Sequence, residues 1–183
     1  GPVHPQAVLL SQMQRSLRET VHWLQAWSSD PHPEALHQAR VAWRRFKCLS
    51  RFYRPMLPKP AQQHQRALQA IWQRTSALRN LDVSLTITLP VWRQKHPNTA
   101  PQEWPALIRH LQTQRRTARR DLQDTLSHAE ARAGWLELKA WLKGAAKFPK
   151  RPSAQAWHRK TRHRLDKLHQ KIKQGRKTAK ASK

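Results

Sequence analysis

Leu9, Leu10, Met13, Leu17, Val21, Leu24 and Trp27 recur at helical spacing and predict an amphipathic helix over about 5–28. Asp30-Pro31-His32-Pro33 interrupts it, and Glu34 falls in the first turn of the next helix, where a negative charge suits the dipole. That second helix turns Leu36, Ala39, Trp43, Phe46, Ser50 and Tyr53 to one side and stops before Pro55, Pro58 and Pro60. A third is expected over about 61–88, with Leu68, Ile71, Trp72, Leu78, Leu81 and Leu85 inward, ending before Pro90. Residues 84–89 alternate like a strand, but an isolated strand has no partner, so the helical reading stands. After a turn-rich stretch at 90–101, a fourth helix over about 102–127 carries Trp104, Leu107, Leu111, Ala118, Leu122 and Leu126 inward. A fifth over about 129–146 has Trp135, Leu138 and Trp141 or Leu142, and a last over about 153–174 aligns Ala154, Trp157, Thr161, Leu165, Leu168 and Ile172.

With no strand pattern left, the expected fold class is all-α: an antiparallel four-helix bundle over about 1–128, followed by helices that begin a second bundle. In domain terms this reads as a first bundle at 3–128, a partial second bundle at 129–175 and a disordered basic tail at 176–183. Gly1-Pro2 reads as the remnant of a cleaved tag.

Composition changes the picture. Thirty-six Lys and Arg against 10 Asp and Glu give a formal net charge of +26 over 183 residues. Such an excess favours polyanions: nucleic acid, an anionic membrane or a polymer of phosphate. Disorder is not the explanation, because 38% of residues are hydrophobic, nine are Trp and only four are Gly. The single Cys48 makes no intramolecular disulfide, has no second thiol for a metal site and reads as a small buried residue in a reducing compartment. No apolar run approaches the length of a membrane span, so the expected location is the cytoplasm.

The charge is organised. His37, Arg40, Arg44, Lys47, Arg51 and Arg54 follow one another at steps of three and four, forming one cationic stripe along the second helix, with Arg45 beside it. No carboxylate lies between Glu34 and Asp82 to relieve the repulsion, so the counter-charge is expected from outside. Arg offers forked contacts to phosphate oxygens and Lys a compact point charge. The fourth helix adds Arg109, Arg116 and Arg120 on one face with Arg119 close by, and the last adds Arg159 and Arg162. Were the second and fourth helices adjacent, their stripes would wall a groove of raised positive potential. Trp43, Trp72, Trp104 and Trp157 occupy apolar helical positions and read as core rather than as stacking platforms.

Leu36-His37-Gln38-Ala39-Arg40-Val41-Ala42-Trp43-Arg44-Arg45-Phe46-Lys47 resembles the H-x-x-R-V-x-x-R-R core of the CHAD domain, the conserved histidine α-helical domain. Leu78-Arg79-Asn80-Leu81-Asp82-Val83 is similar to that family's R-D/N-x-D-V segment on its third helix. The resemblance implies helical bundles that bind inorganic polyphosphate on a basic surface without catalysis by the domain itself. It also places Arg79 near that surface, with Asp82 orienting it or a basic neighbour. The family pattern has two four-helix bundles, each with its own H-x-x-R helix, whereas one copy is found here. Leu168-His169-Gln170-Lys171-Ile172-Lys173 puts Ile172 where the motif has Arg. Residues 153–183 therefore read as the opening helix of a second half, and pairing of two copies as a homodimer would complete the groove.

The residues argue against an enzyme, since the acids are scattered, no phosphate-cradling G-x-x-x-x-G-K-[ST] loop occurs and His37 has no orienting acid. No catalytic residue, metal ligand set or cofactor is expected. His37 is read as a hydrogen-bond donor to phosphate. The expectation is a non-catalytic binder of inorganic polyphosphate, with nucleic acid as a competing ligand. A backbone-reading nucleic-acid protein and a scaffold that targets polyphosphate or storage granules are the alternatives.

Overall fold

The computed structural model describes residues 4–59, 63–99, 102–147 and 153–181. Gly1-Pro2, residues 60–62 at the expected start of the third helix, and the last two residues of the basic tail lie outside them. Among the described residues there is no strand, and the chain is an all-α bundle. Its helices are α1 (Pro5–Ser29), α2 (Pro33–Phe52), α3 (Gln65–Val83), α4 (Leu89–Lys95), α5 (Trp104–Ser127), α6 (Ala129–Ala146) and α7 (Ala154–Ala181).

Histidine caps open the first two helices. The Gln6 N–H donates to His4 Nδ1 at 3.1 Å and the Ala35 N–H to His32 Nδ1 at 3.4 Å, each ahead of a proline whose missing N–H costs nothing in a first turn. Pro90 behaves differently from expectation, because the helix does not stop there. A π-helical segment, Ser84–Thr88, widens the turn just before it, and the chain resumes as α4. The widened turn accommodates a ring that would otherwise collide with the preceding carbonyls. The stretch read as turns from 90 is thus helical to Lys95.

Two apolar clusters hold the bundle. One joins Leu24, Trp27, Leu36, Ala39, Ile71, Leu78, Leu122 and Ala131; the other joins Met13, Leu17, Phe46, Met56, Leu142, Ala145 and Trp157. Trp43, Trp135 and Leu138 pack against both. Each Leu or Ile buried this way contributes about 1.5–3 kcal/mol. Packing continues across the turn at His128: α6 lies against α1, α3 and α5 and supplies side chains to both clusters. Leu68 leaves no room beside α6 for anything larger than glycine without adjustment, since a Cβ on Gly134 would sit 3.0 Å from its Cγ and Cδ2.

α7 departs most from its expected seam. Trp157 is buried, stacked on Tyr53 at 5.4 Å between centroids, but Leu165, Leu168 and Ile172 are about half exposed. Helix also persists to Ala181, where a disordered tail was expected from 176, because Lys, Arg, Gln and Ala are strong helix formers and Gly175 is an isolated cost. This projecting helix helps explain a surface of 12,958 Å², well above the roughly 9,000 Å² of a compact chain of this mass.

Candidate functional site: a cationic surface centred on α3

Phe46 and Ala39 anchor α2 in the core, which turns the stripe from His37 to Arg54 away from it. Arg44, Arg45, Lys47, Arg51 and Arg54 are exposed, while His37 and Arg40 are half-buried. Against expectation, Arg45 finds a carboxylate within the fold, Glu19 of α1 at 3.3 Å, and Cys48 is exposed because it falls on the solvent side of α2. Arg40 is fixed most firmly. Its Nη1 donates to Thr75 Oγ1 at 2.9 Å and to Ser76 Oγ at 2.8 Å, both on α3. Thr75 Oγ1 in turn donates to the Trp72 carbonyl at 2.9 Å, so the anchoring hydroxyl is itself oriented. These partners are neutral, and among the described residues none takes Arg40 Nε or Nη2. Burial, with Arg79 and Arg44 close by, pulls the Arg40 guanidinium below its ordinary value. The surface here is cationic, partly desolvated and internally repulsive.

Two turns beyond Thr75 on the same face, α3 carries a buried acid. Asp82 is 1% exposed, and Arg115 Nη1 of α5 stands 3.7 Å from its Oδ1, an ion pair too long for a hydrogen bond. Burial raises the Asp82 carboxyl above the ordinary carboxylate range against the opposing pull of Arg115, Arg119 and Arg79. The partner at ion-pair distance from Asp82 comes from another helix, α5. Arg79, between Thr75 and Asp82 on that face, is within electrostatic reach of both Arg40 and Asp82.

α3 packs against both α2 and α5, but the α5 stripe read from the sequence is not the face turned to it. The α5 arginines gathered around Asp82 are Arg115 and Arg119. Arg109, Arg116 and Arg120 are exposed on the same helix, and Arg116 Nη2 donates to Thr113 Oγ1 at 3.0 Å. On α7, Arg159 and Arg162 are exposed. Arg164, half-buried, docks this helix by donating from Nη2 to the Arg51 carbonyl at 3.0 Å and lying 5.3 Å from the Phe52 ring centroid. Sequence reasoning left Arg115 out of its binding set, although Arg115 and Arg119, four apart, mark a second basic face of this helix. It also missed Arg164, which nothing in the pattern separated from its basic neighbours.

Farther along, Lys47 and Arg51 of α2 and Arg54 just past its end line a cleft of about 750 Å³ between α2, the 57–59 segment, α3 and α6. Trp43 and Trp72 stack at 5.0 Å with 11° between their planes at its floor, and Trp141 Nε1 donates to the Pro58 carbonyl at 3.1 Å. Among the described residues, no group of three or more His, Cys, Asp or Glu is arranged to hold a metal ion. No described helix is long and apolar enough to cross a membrane.

No curated protein and no solved structure matches the chain. The family model of the CHAD domain matches residues 11–182, a span that contains α2 with its H-x-x-R motif, α3 with Arg79 and Asp82, and α5 with Arg115 and Arg119. The chain belongs to the CHAD domain family.

Proposed function

We propose that this protein binds inorganic polyphosphate, without turning it over, along the cationic surface formed by α2, α3 and α5. The observation that carries the reading is Arg40, held by two neutral hydroxyls beside Arg44 and Arg79, with donors left over. A polymer bearing an anionic oxygen pair at every phosphorus relieves that crowding at several points at once. Arg40, Arg44 and Arg79 form the centre of the binding surface, with Arg115 and Arg119 extending it across α3. His37, Lys47 and Arg51 lengthen the track along α2 and Arg54 continues it just past the helix, while Arg45, paired with Glu19 of α1 at 3.3 Å, lies to one side. Arg109, Arg116, Arg120, Arg159 and Arg162 supply outer contacts and long-range attraction.

The CHAD family is associated with polyphosphate binding and is generally non-catalytic, which supports both halves of the proposal. Binding displaces condensed counterions, so affinity falls steeply with salt, by analogy with nucleic acids. Competition tests the choice of polymer. Long-chain polyphosphate is expected to displace bound RNA or DNA at equal phosphate concentration, and failure to do so defeats the proposal.

A further inference from the structure

The cleft between α2 and α6 has features that a chain of phosphates does not use. One wall presents Lys47 and Arg51, one turn apart on α2, and Arg54 in the short 3-10 turn Arg54–Met56 that follows it. Lys59 adds a fourth cation, and the lining carboxylate Glu137 is taken by His64 Nδ1 at 2.5 Å, so the cleft keeps a positive balance. The opposite wall, on α3, carries Gln65, Gln69 and Gln73 at steps of four, a ladder of carboxamides that both donate and accept. Between the walls the floor is apolar, with the stacked Trp43 and Trp72, and Trp141 held in place by its bond to Pro58. Trp72 Nε1 is buried with no hydrogen-bond partner among the described residues, a donor that the fold leaves without an acceptor.

Bare phosphate gains nothing from indole rings, and placing it against them costs hydration. The occupant that matches all three surfaces has a short anionic tail, a flat apolar body and a polar edge. An alkyl phosphate satisfies the cations and the floor but leaves the glutamine ladder unused. We infer that the cleft binds a nucleoside polyphosphate, with the base packed on the tryptophan floor, the base edge on Gln65, Gln69 and Gln73, and the phosphates on Lys47, Arg51 and Arg54. Volume agrees, since pockets for ligands of this size run from about 300 to 1,000 Å³. This site shares three cations with the proposed polyphosphate surface but does not depend on polyphosphate being the natural polymer.

Titration calorimetry on the full chain, with ATP, inorganic tripolyphosphate and hexyl phosphate as probes, tests the inference. Tripolyphosphate has the higher charge, so charge alone ranks it first. The inferred site instead makes ATP bind about tenfold more tightly, an increment that packing of one base can supply. Gln69→Leu with Gln73→Leu, two exposed positions outside the core, is expected to abolish the preference while leaving tripolyphosphate affinity and helicity unchanged. Lys47→Gln with Arg51→Gln is expected to weaken both ligands alike. Equal affinities, the reverse order, or hexyl phosphate matching ATP would overturn the inference, as would a glutamine double variant that retains the preference. If ATP shows the expected preference and long-chain polyphosphate does not bind, the nucleotide cleft stands and the polyphosphate proposal falls.

Discussion

Arg40→Ala separates a binding role from a structural one, because the structure gives that side chain both. Its Nη1 makes two hydrogen bonds across to α3, at 2.9 Å to Thr75 and 2.8 Å to Ser76. Hydrogen bonds to a charged group contribute about 1.5–3 kcal/mol each in favourable cases. Here the return is smaller, since Thr75 Oγ1 keeps its bond to the Trp72 carbonyl and removal of the guanidinium relieves repulsion from Arg79 and Arg44. A net destabilisation of about 1 kcal/mol follows, a shift of roughly 2–4 °C in the unfolding midpoint for a chain of this size. The effect on binding is larger. Loss of one charge-assisted contact weakens polyphosphate affinity about tenfold or more. It also lowers the slope of log affinity against log salt by about 0.7–0.9, by the counterion arithmetic of nucleic acids. Arg40→Lys keeps the charge but not the fork, so the slope is expected to hold while affinity falls. Fluorescence anisotropy with labelled long-chain polyphosphate across a salt series gives both quantities, and circular dichroism reports the fold. A normal slope and affinity in Arg40→Ala, with helicity intact, would refute the reasoning and make the stripe ordinary surface.

Three further outcomes follow from the same geometry. Asp82 is held above the ordinary carboxylate range by burial, so the folded chain binds its proton more readily than the unfolded one. The contribution of this group to stability therefore falls as pH rises from about 3.9 through the folded value, and stays at the lower level above it. Asp82→Asn is expected to raise the unfolding midpoint at pH 7, with the gain vanishing below about pH 4; a lower midpoint at pH 7 would mean that the pairing with Arg115 outweighs desolvation. Leu122 is fully buried where α5 meets the first core cluster, so Leu122→Ala should cost about 2–5 kcal/mol, measured by urea unfolding. Arg164→Ala removes the contacts to the Arg51 carbonyl and the Phe52 ring, so limited proteolysis should cut α7 faster while protecting the remaining helices as before.

Much of the fold was legible because burial imposes a helical period on the sequence. The seam of α1 and the pairing of Leu36, Ala39 and Phe46 follow directly from that rule, and all of these residues but the half-buried Val21 are buried. Pro90 was misread because proline reports only a local conflict, and the wider turn that absorbs it depends on how Ser84–Thr88 is held. The α7 seam was over-read for a related reason: periodicity marks a face that can be buried, whereas Leu165, Leu168 and Ile172 remain about half exposed. At the candidate site, the spacing of Arg40 and Arg44 was visible, but the tether from Arg40 to Thr75 and Ser76 spans 35 and 36 positions of chain. The gathering of Arg115 and Arg119 around Asp82 is likewise tertiary, and no spacing rule within one helix contains it. The cleft was invisible for the same reason, since its cations, glutamines and tryptophans come from separate helices.

A crystal structure of the full chain with polyphosphate bound tests the central claim most directly. The account predicts a chain of phosphates running across α3, with oxygens within hydrogen-bond distance of Arg40, Arg44 and Arg79 and contacts continuing to Arg115 or Arg119. Polymer bound elsewhere, on α7 alone or scattered along exposed lysines with Arg40 untouched, would contradict it.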